Sequence, residues 1–191
     1  AAKDNNFVIQ WESVLSLGIT KGLFTVQSLL QKALEPTPLE RKEDDGRIVQ
    51  YLLRERIMQA PDTLIIQLKR FAYDKKTGSM SKINQPIDFM PNLHLFESEI
   101  VRDLAGNPLQ FRDKKEDIGY RIRGVVYHLG STLQSGHYIY ASFENNGDVI
   151  VHDDSRVSRY ENIKSFQDLE SHPTLEQIAN NAYLLFFERI R

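Results

Sequence analysis

The stretch from Tyr120 to Val157 reads YRIRGVVYHLG, then STLQS, then GHYIYASFE, then NNGD, then VIVHDDSRV, and it decides how the rest of the chain is read. Three apolar-rich runs separated by turn residues are the pattern of three consecutive antiparallel strands. Gly130, Ser131, Ser135 and Gly136 fill the first turn, and Asn145, Asn146 and Gly147 fill the second, where Asn-Gly is a strong hairpin signal. This arrangement predicts His137 at the start of the middle strand and Asp153-Asp154 at the end of the third. An imidazole and two carboxylates then meet at neighbouring ends of one hairpin. A histidine near its ordinary pKa can accept a proton at physiological pH, and a carboxylate can fix its tautomer and orientation. On pattern alone a second reading stands beside this one, in which all three are polar residues that terminate strands.

The hairpin also yields a register. A two-residue Asn146-Gly147 turn would put Val149 opposite Glu144 and Asp154 opposite Ile139. Paired residues share a face, so Asp154 would lie diagonally from His137, about 7–8 Å away between backbones, and Asp153 would point to the other side. A single β-bulge would reverse that parity.

Composition sets the outer limits. At 191 residues the chain is long enough for one sizeable core, and 41% hydrophobic with 26% charged residues is an ordinary globular balance. No apolar run approaches the roughly 20 residues of a membrane span, and a net charge of −2 argues against a nucleic-acid surface. The 191 residues contain no cysteine, so disulfides, cysteine-based zinc sites and a thiol nucleophile within these residues are all excluded. The five histidines, His94, His128, His137, His152 and His172, show no metal-type spacing, so neither a metal nor a cofactor is expected.

Outside the hairpin, alternating apolar positions from Phe7 to Leu17 predict a strand. Thr25 is a candidate N-cap for a helix whose Val26, Leu29, Leu30, Ala33 and Leu34 share one face, and the helix should stop before Pro36. Pro36 to Gly46 is expected to be a charged solvated loop. Ile48 to Ala60 fits a helix through Ile48, Tyr51, Leu52 and Glu55 and a strand through Tyr51, Leu53 and Ile57. Leu64 to Leu68 has the composition of a buried central strand, with Lys69-Arg70 ending it near solvent. Asp74 to Ser79 predicts a hairpin tip, followed by a return strand at Ile83. Phe96 to Gly119 is long and polar enough to be a functional loop. Short helices are expected over Ile163 to Leu169 and Glu176 to Asn180. Ala182 to Arg189, apolar on both faces, reads as an interior strand.

Taken together, GVVYHLG, SGHYIYA and HDDSRV, with PDTLIIQLKRF (Pro61 to Phe71) and AYLLFFER (Ala182 to Arg189), resemble the ordered blocks of the ubiquitin-specific protease family. The match runs from Pro61 to Arg189, and more loosely from Phe7, and the family pattern favours the strand over Ile48 to Ala60. The resemblance implies an α+β, papain-like cysteine protease fold, of which these residues form the antiparallel palm and fingers portion. It implies hydrolysis of the bond after the C-terminal glycine of ubiquitin or a ubiquitin-like modifier, by an intracellular enzyme of the cytoplasm or nucleus. His137 takes the role of general base and Asp153 that of its orienting partner, with Asp154 a second polar group near the oxyanion. Tyr138, Gly136, Ser135 and Gly130 would line the channel for the modifier's tail, and Phe96 to Gly119 would lie over it.

The sequence departs from that family in one respect. The family's nucleophile sits in an N-terminal box, roughly GNTCYxN, for which these residues hold no counterpart. Residues 1–191 are therefore expected to be a single partial catalytic domain, with the helical cysteine-bearing half supplied elsewhere as a partner. A non-catalytic ubiquitin-binding or scaffolding module is the competing expectation. Because the helices legible here are few and short, the sheet face bearing Tyr138, Tyr140 and the His137 end should be open to solvent, leaving a contiguous apolar patch next to His137.

Overall fold

The computed structural model describes residues 10, 12–57, 60–74, 78–96, 117–132 and 135–191. The Phe96 to Gly119 expectation falls largely outside them, as does the start of the Phe7 to Leu17 strand. In chain order the elements are β1 (Leu15–Gly18), α1 (Val26–Leu34), β2 (Thr37–Lys42), β3 (Ile48–Leu53), β4 (Thr63–Lys69), β5 (Phe71–Asp74), β6 (Ser79–Lys82) and β7 (Asn92–Phe96). They continue with β8 (Asp117–Leu129), β9 (His137–Phe143), β10 (Val149–Asp153), β11 (Arg156–Tyr160), α2 (Phe166–Ser171), α3 (Glu176–Asn181) and β12 (Ala182–Arg189). The class is α+β, as the sequence predicts.

β8, at 13 residues, is the spine of the main sheet. Along one edge it pairs with β12. Along the other it pairs with β7 over Asp117–Arg121 and with β9 over Gly124–Leu129. The full order is β1-β4-β12-β8-β9-β10-β11, antiparallel throughout except for the parallel β1–β4 pair. Leu64 to Leu68 and Ala182 to Arg189 therefore sit in the interior of the sheet, as their two-sided apolar sequences require.

Alternation along these strands separates a closed face from an open one. Ile66, Leu185, Val125 and Ala141 stand side by side across four strands, and each is fully buried. On the opposite face the neighbouring row, Gln67, Leu184, Val126 and Tyr140, runs from half-buried to exposed. The helices contribute Leu29, Leu30, Leu169, Ile178 and Ala179 to the same core as the closed face. Nothing among the described residues covers the open face completely, and Tyr138 and Tyr140 keep 48% and 38% of their surface there.

The α1 helix forms where its sequence places it. Thr25 Oγ1 accepts from Ser28 N at 3.0 Å, closing a reciprocal capping box. Val26, Leu29, Leu30 and Leu34 are its buried stripe, each worth on the order of 1.5–3 kcal/mol of apolar transfer. Glu35, held extended by the following Pro36, ends it. Among the described residues no helix is long and apolar enough to cross a membrane.

Four expectations need correction. The charged segment after Pro36 is not a loop: Thr37–Lys42 is β2, paired residue for residue with β3. All but one of its paired residues are exposed, so this two-stranded ribbon has no core face to imprint an alternating pattern on the sequence. Arg70 does not end near solvent. The chain turns there between β4 and β5, and its guanidinium is 1% exposed, donating to the carbonyls of Ala182, Ile83, Gln85 and Ala179. The return strand of the β5–β6 hairpin is Ser79–Lys82 and stops before Ile83. Finally, Arg156–Tyr160 forms an eleventh strand that the sequence reading did not separate from the preceding run.

Candidate active site

The site is assembled by two turns and the strand ends they join. His137 is the first residue of β9 and pairs with Leu129, the last of β8. Asp153 is the last residue of β10 and pairs with Arg156 across a tight turn made of Asp154 and Ser155. Asp154 adopts a left-handed backbone, φ 51°, which Asp tolerates better than most residues.

Which carboxylate meets the imidazole is settled by the other end of the hairpin. Glu144 N donates to Asp148 O at 2.9 Å and Gly147 N donates to Glu144 O at 3.1 Å, so Asn145, Asn146 and Gly147 form a three-residue loop. Gly147 takes φ 88°, the left-handed position such a loop requires. The β9–β10 register is then Val149↔Phe143 through His152↔Tyr140, one residue off the two-residue-turn expectation. One step further, Asp153 stands opposite Ile139, on the face that His137 shares. The bulge that would reverse the parity is this turn itself.

His137 Nε2 lies 2.5 Å from Asp153 Oδ1 and 4.0 Å from Asp154 Oδ2. The hydrogen bond to Asp153 raises the imidazole pKa above its ordinary value, with the charges of both aspartates adding to it against a smaller effect of burial. With Nε2–H donated to Asp153, the lone pair sits on Nδ1, which has no hydrogen-bond partner among the described residues. The His137 side chain is 41% exposed, so that nitrogen can be reached from outside. This is the geometry of a base held in one tautomer by a carboxylate.

The same three side chains offer donor atoms within 4.8 Å of one another, which raises the question of a metal. The 2.5 Å Nε2–Oδ1 separation is that of a hydrogen bond between the two side chains. Two ligands of one ion at ~2.0–2.2 Å each would normally stand further apart than that.

The turn before His137 is pinched at its base. A Cβ on Gly130 would lie 2.5 Å from Ser135 O and 2.8 Å from Gly136 Cα. A Cβ on Gly136 would meet Leu129 O at 2.6 Å and would collide with the His128 ring. Both glycines are therefore required by close approach. Ser135 N donates to Thr132 Oγ1 at 3.1 Å across the same turn. Tyr138 follows His137 but points to the opposite, open face, its ring 4.5 Å from that of His128 and 5.9 Å from that of Tyr183. Of the sequence-selected residues, the structure thus groups His137, Asp153, Asp154, Gly130, Ser135 and Gly136 at one end of the sheet. Tyr138 is across it.

Two further residues enter this region without a local signal in the sequence. His128 is 1% exposed and neither ring nitrogen has a partner among the described residues; burial, with help from the Lys82 charge, lowers its pKa. Lys82, from the end of β6, donates to His128 O at 2.7 Å, Gly130 O at 2.9 Å and Asn181 Oδ1 at 2.7 Å.

Comparison with known proteins relates the chain to one family. The chain is 30% identical over 141 residues to ubiquitin carboxyl-terminal hydrolase 10 of Mus musculus, covering 72% of this chain and 16% of the mouse protein. It is 31% identical over 134 residues to ubiquitin carboxyl-terminal hydrolase 10 of Saccharomyces cerevisiae, covering 70% of this chain and 14% of the yeast protein. The chain thus spans only about a sixth of the relatives it matches. Among solved structures, the Ubp8-Sgf11-Sgf73-Sus1 SAGA DUB module superposes with a TM-score of 0.61 at 26% identity, covering 93% of this chain and 33% of that one. The SAGA Ubp8/Sgf11/Sus1/Sgf73 DUB module bound to ubiquitin aldehyde gives a TM-score of 0.64 at 24% identity, over 93% of this chain and 36% of that one. These are deubiquitinase domains, and the fold is the papain-like one that the sequence blocks imply. The family model described as ubiquitin carboxyl-terminal hydrolase matches residues 4–187, nearly the whole length, and the chain belongs to that family.

Proposed function

We propose that this chain supplies the general base and its orienting carboxylate to a cysteine-type deubiquitinase. The observation that carries the reading is the His137–Asp153 contact, with Nδ1 left unengaged, in a member of this family. The 191 residues contain no cysteine, so the nucleophile belongs to a cysteine-bearing N-terminal half of the same catalytic domain, and residues 1–191 are the other part of that domain. That the chain spans about a sixth of its relatives' length supports this division.

In the proposed reaction His137 Nδ1 takes the thiol proton as the thiolate attacks the carbonyl carbon of the modifier's C-terminal glycine. Asp153 stabilises the imidazolium through Nε2–H. The proton then passes from Nδ1 to the departing lysine amine, and the thioester is released by a water that His137 deprotonates in turn. Asp154, 4.0 Å from Nε2, adds a second negative charge at the site mouth. Gly130, Ser135 and Gly136, at the same end of the sheet as His137, are assigned to the extended tail, whereas Tyr138, on the opposite face, is too far round the sheet to share that channel with them. Ubiquitin is the proposed modifier, supported by the ubiquitin aldehyde bound to the related DUB module. The proposed setting is intracellular.

A second reading, a ubiquitin-binding module without a nucleophile, is favoured by the absence of cysteine from these residues. One experiment separates the two. The natural full-length protein, carrying the residues that precede this chain, is assayed on a fluorogenic ubiquitin C-terminal amide beside its His137→Ala, Asp153→Ala and Asp154→Ala forms. The enzyme reading expects turnover that falls about 10²–10⁴-fold in His137→Ala, with ubiquitin affinity nearly unchanged. It also expects Asp153→Ala to lose more activity than Asp154→Ala. Ubiquitin binding without turnover in the wild type would favour the module.

A further inference from the structure

Lys82 is the end of a rigid anchor. Its backbone pairs with Phe71 in the β5–β6 ladder, and the next residue, Ile83, donates to Arg70 O at 2.7 Å. The buried Arg70 guanidinium returns two bonds of 2.9 Å to the carbonyls of Ile83 and Gln85. From this fixed point the Lys82 ammonium reaches three acceptors on three different segments. They are His128 O near the end of β8, Gly130 O at the base of the following turn, and Asn181 Oδ1 at the end of α3, all within 2.7–2.9 Å.

None of the three acceptors is a carboxylate, so these bonds are not an ion pair that could reform elsewhere along a surface. They are charge-assisted hydrogen bonds from one cation to neutral oxygens, in the short range such bonds adopt. Two of the acceptors, His128 O and Gly130 O, lie where the chain leaves β8 and doubles back, and Asn181 ties the same ammonium to the end of α3. There Gly130 packs against Ser135 and Gly136 so closely that no side chain fits between, and His137 follows at once. The ladder above holds Leu129 against His137. The ammonium holds the other side of the same pinch.

We propose that Lys82 is a positioning residue for the candidate active site, clamping the base of the turn at Gly130 so that His137 enters β9 at a fixed angle to Asp153. The inference rests on the reading of His137 as the base, but the clamp itself can be read without any activity. Loss of the ammonium leaves Gly130 O open to water and the part-buried His128 O without this donor, while the strand ladders stay intact, so the fold should lose little. The angle at which His137 is presented should lose more. A displacement of about 1 Å at a reacting group can cost up to about 10²-fold in rate.

The test has two arms. In the first, amide exchange of the full-length protein, read over these 191 residues, is compared for wild type, Lys82→Met, Lys82→Arg and Leu30→Ala, the last a core-destabilising control on α1. The clamp predicts that Lys82→Met speeds exchange selectively, by about tenfold or more, at residues 129–132 and 135–137. Lys82→Arg, which keeps a cation with several donors, should restore part of the protection. Leu30→Ala should not reproduce the selectivity. In the second arm, the full-length enzyme carrying Lys82→Met should lose about 10–100-fold in kcat with KM within a few-fold, and Lys82→Arg should recover part of it. Unchanged exchange in Lys82→Met, or a uniform increase like that of Leu30→Ala, overturns the clamp. Selective exchange with an unchanged kcat in an active enzyme overturns the positioning role. A wild-type enzyme with no turnover, combined with Lys82-dependent exchange, strikes at the base reading and leaves the clamp standing.

Discussion

Asp153 Oδ1 lies 2.5 Å from His137 Nε2 because Gly147, at the far end of the same hairpin, takes a left-handed backbone of φ 88°. The three-residue loop that Gly147 completes shifts every pair of the β9–β10 ladder by one residue. With a side-chain period of two, that shift moves one aspartate onto the imidazole's face and the other off it. The same device recurs in the β2–β3 ribbon. There Glu43 N donates to Arg47 O at 2.9 Å, Gly46 N donates to Glu43 O at 2.9 Å, and Gly46 takes φ 84°. The sequences ENNGD and EDDGR therefore encode one turn.

The first prediction follows from the direction of the His137 shift. Asp153 favours the imidazolium, so in the 191-residue chain the ring should titrate above about 6.5, the usual histidine value. Asp153→Asn should bring the midpoint back down, and Asp154→Asn should move it less. For stability the sign is that of a raised base. The contribution of this contact is complete below the unfolded value of about 6.5 and is lost as pH rises through the higher folded value. Ring-proton NMR across pH 5–9 (a range of about two units either side of neutral,) reads the midpoint. A midpoint unmoved by Asp153→Asn would remove Asp153 as the orienting group.

Gly147 gives the second. An L-residue at this φ costs on the order of 1–2 kcal/mol, and an added Cβ would come within 3.1 Å of Lys164 Cγ, a contact the lysine can yield. Gly147→Ala should therefore destabilise the chain by about that amount in urea unfolding, and Gly147→Asn by less, because Asn tolerates the left-handed region. If Gly147→Ala also lowers the His137 midpoint, the turn and the Asp153 contact are one unit. A neutral Gly147→Ala would contradict the turn geometry.

The third concerns the carboxylate next to that glycine. Asp148 accepts from Arg159 Nε at 2.8 Å, from Arg159 Nη2, and from Asn146 Nδ2 at 2.9 Å, which together hold its pKa below the usual carboxylate value. The largest share comes from Arg159. A depressed acid contributes stability that is complete above its unfolded value, about 3.9, and is lost as pH falls through the lower native value. The destabilisation by Arg159→Met should accordingly be steady from neutral pH down to about pH 5 and should shrink below about pH 4. A difference that does not depend on pH in that window would mean that Arg159 acts through packing alone.

Much of this fold was legible because alternation survives wherever one face of a strand is buried. The runs at Leu64, Gly124, His137, Val149 and Ala182 were all read as strands, and Val26 to Leu34 as a helix with its cap. The ribbon at Thr37 was not, since a strand wet on both faces carries no period. The candidate site was half legible. His137 and the pair Asp153-Asp154 stand out in the chain, but the choice between the aspartates depends on a backbone dihedral at Gly147. The Asn-Gly signal at that turn is shared by two loop lengths with opposite parity. Lys82 and Arg70 were illegible for a different reason. Apart from Asn181 Oδ1, their partners are main-chain carbonyls 13 to 112 residues away, and a carbonyl leaves no trace in residue identity.

The last prediction takes up Arg70. It is a cation with 1% exposure whose recorded acceptors are all main-chain carbonyls, two of them at 2.9 Å on Ile83 and Gln85 and one at 2.5 Å on Ala182. Burial lowers its pKa to about 10, which leaves it charged at any working pH. Such a group is held by the completeness of its hydrogen bonding, since each buried acceptor left unpaired costs about 1–3 kcal/mol. Arg70→Met keeps most of the stem's volume and removes every donor, so the carbonyls of Ile83, Gln85 and Ala182 lose the guanidinium together, while Ala179 O keeps the Ile87 N–H. The expected loss is at least about 3 kcal/mol, enough to unfold a marginal domain. Arg70→Lys should fall between, because a single ammonium on a shorter reach cannot serve acceptors spread over the β6 exit, α3 and β12. Urea unfolding of both variants decides the matter. An Arg70→Met chain within about 1 kcal/mol of wild type would mean that water replaces the guanidinium at this junction. The anchor from which Lys82 extends would then be weaker than its bond lengths imply.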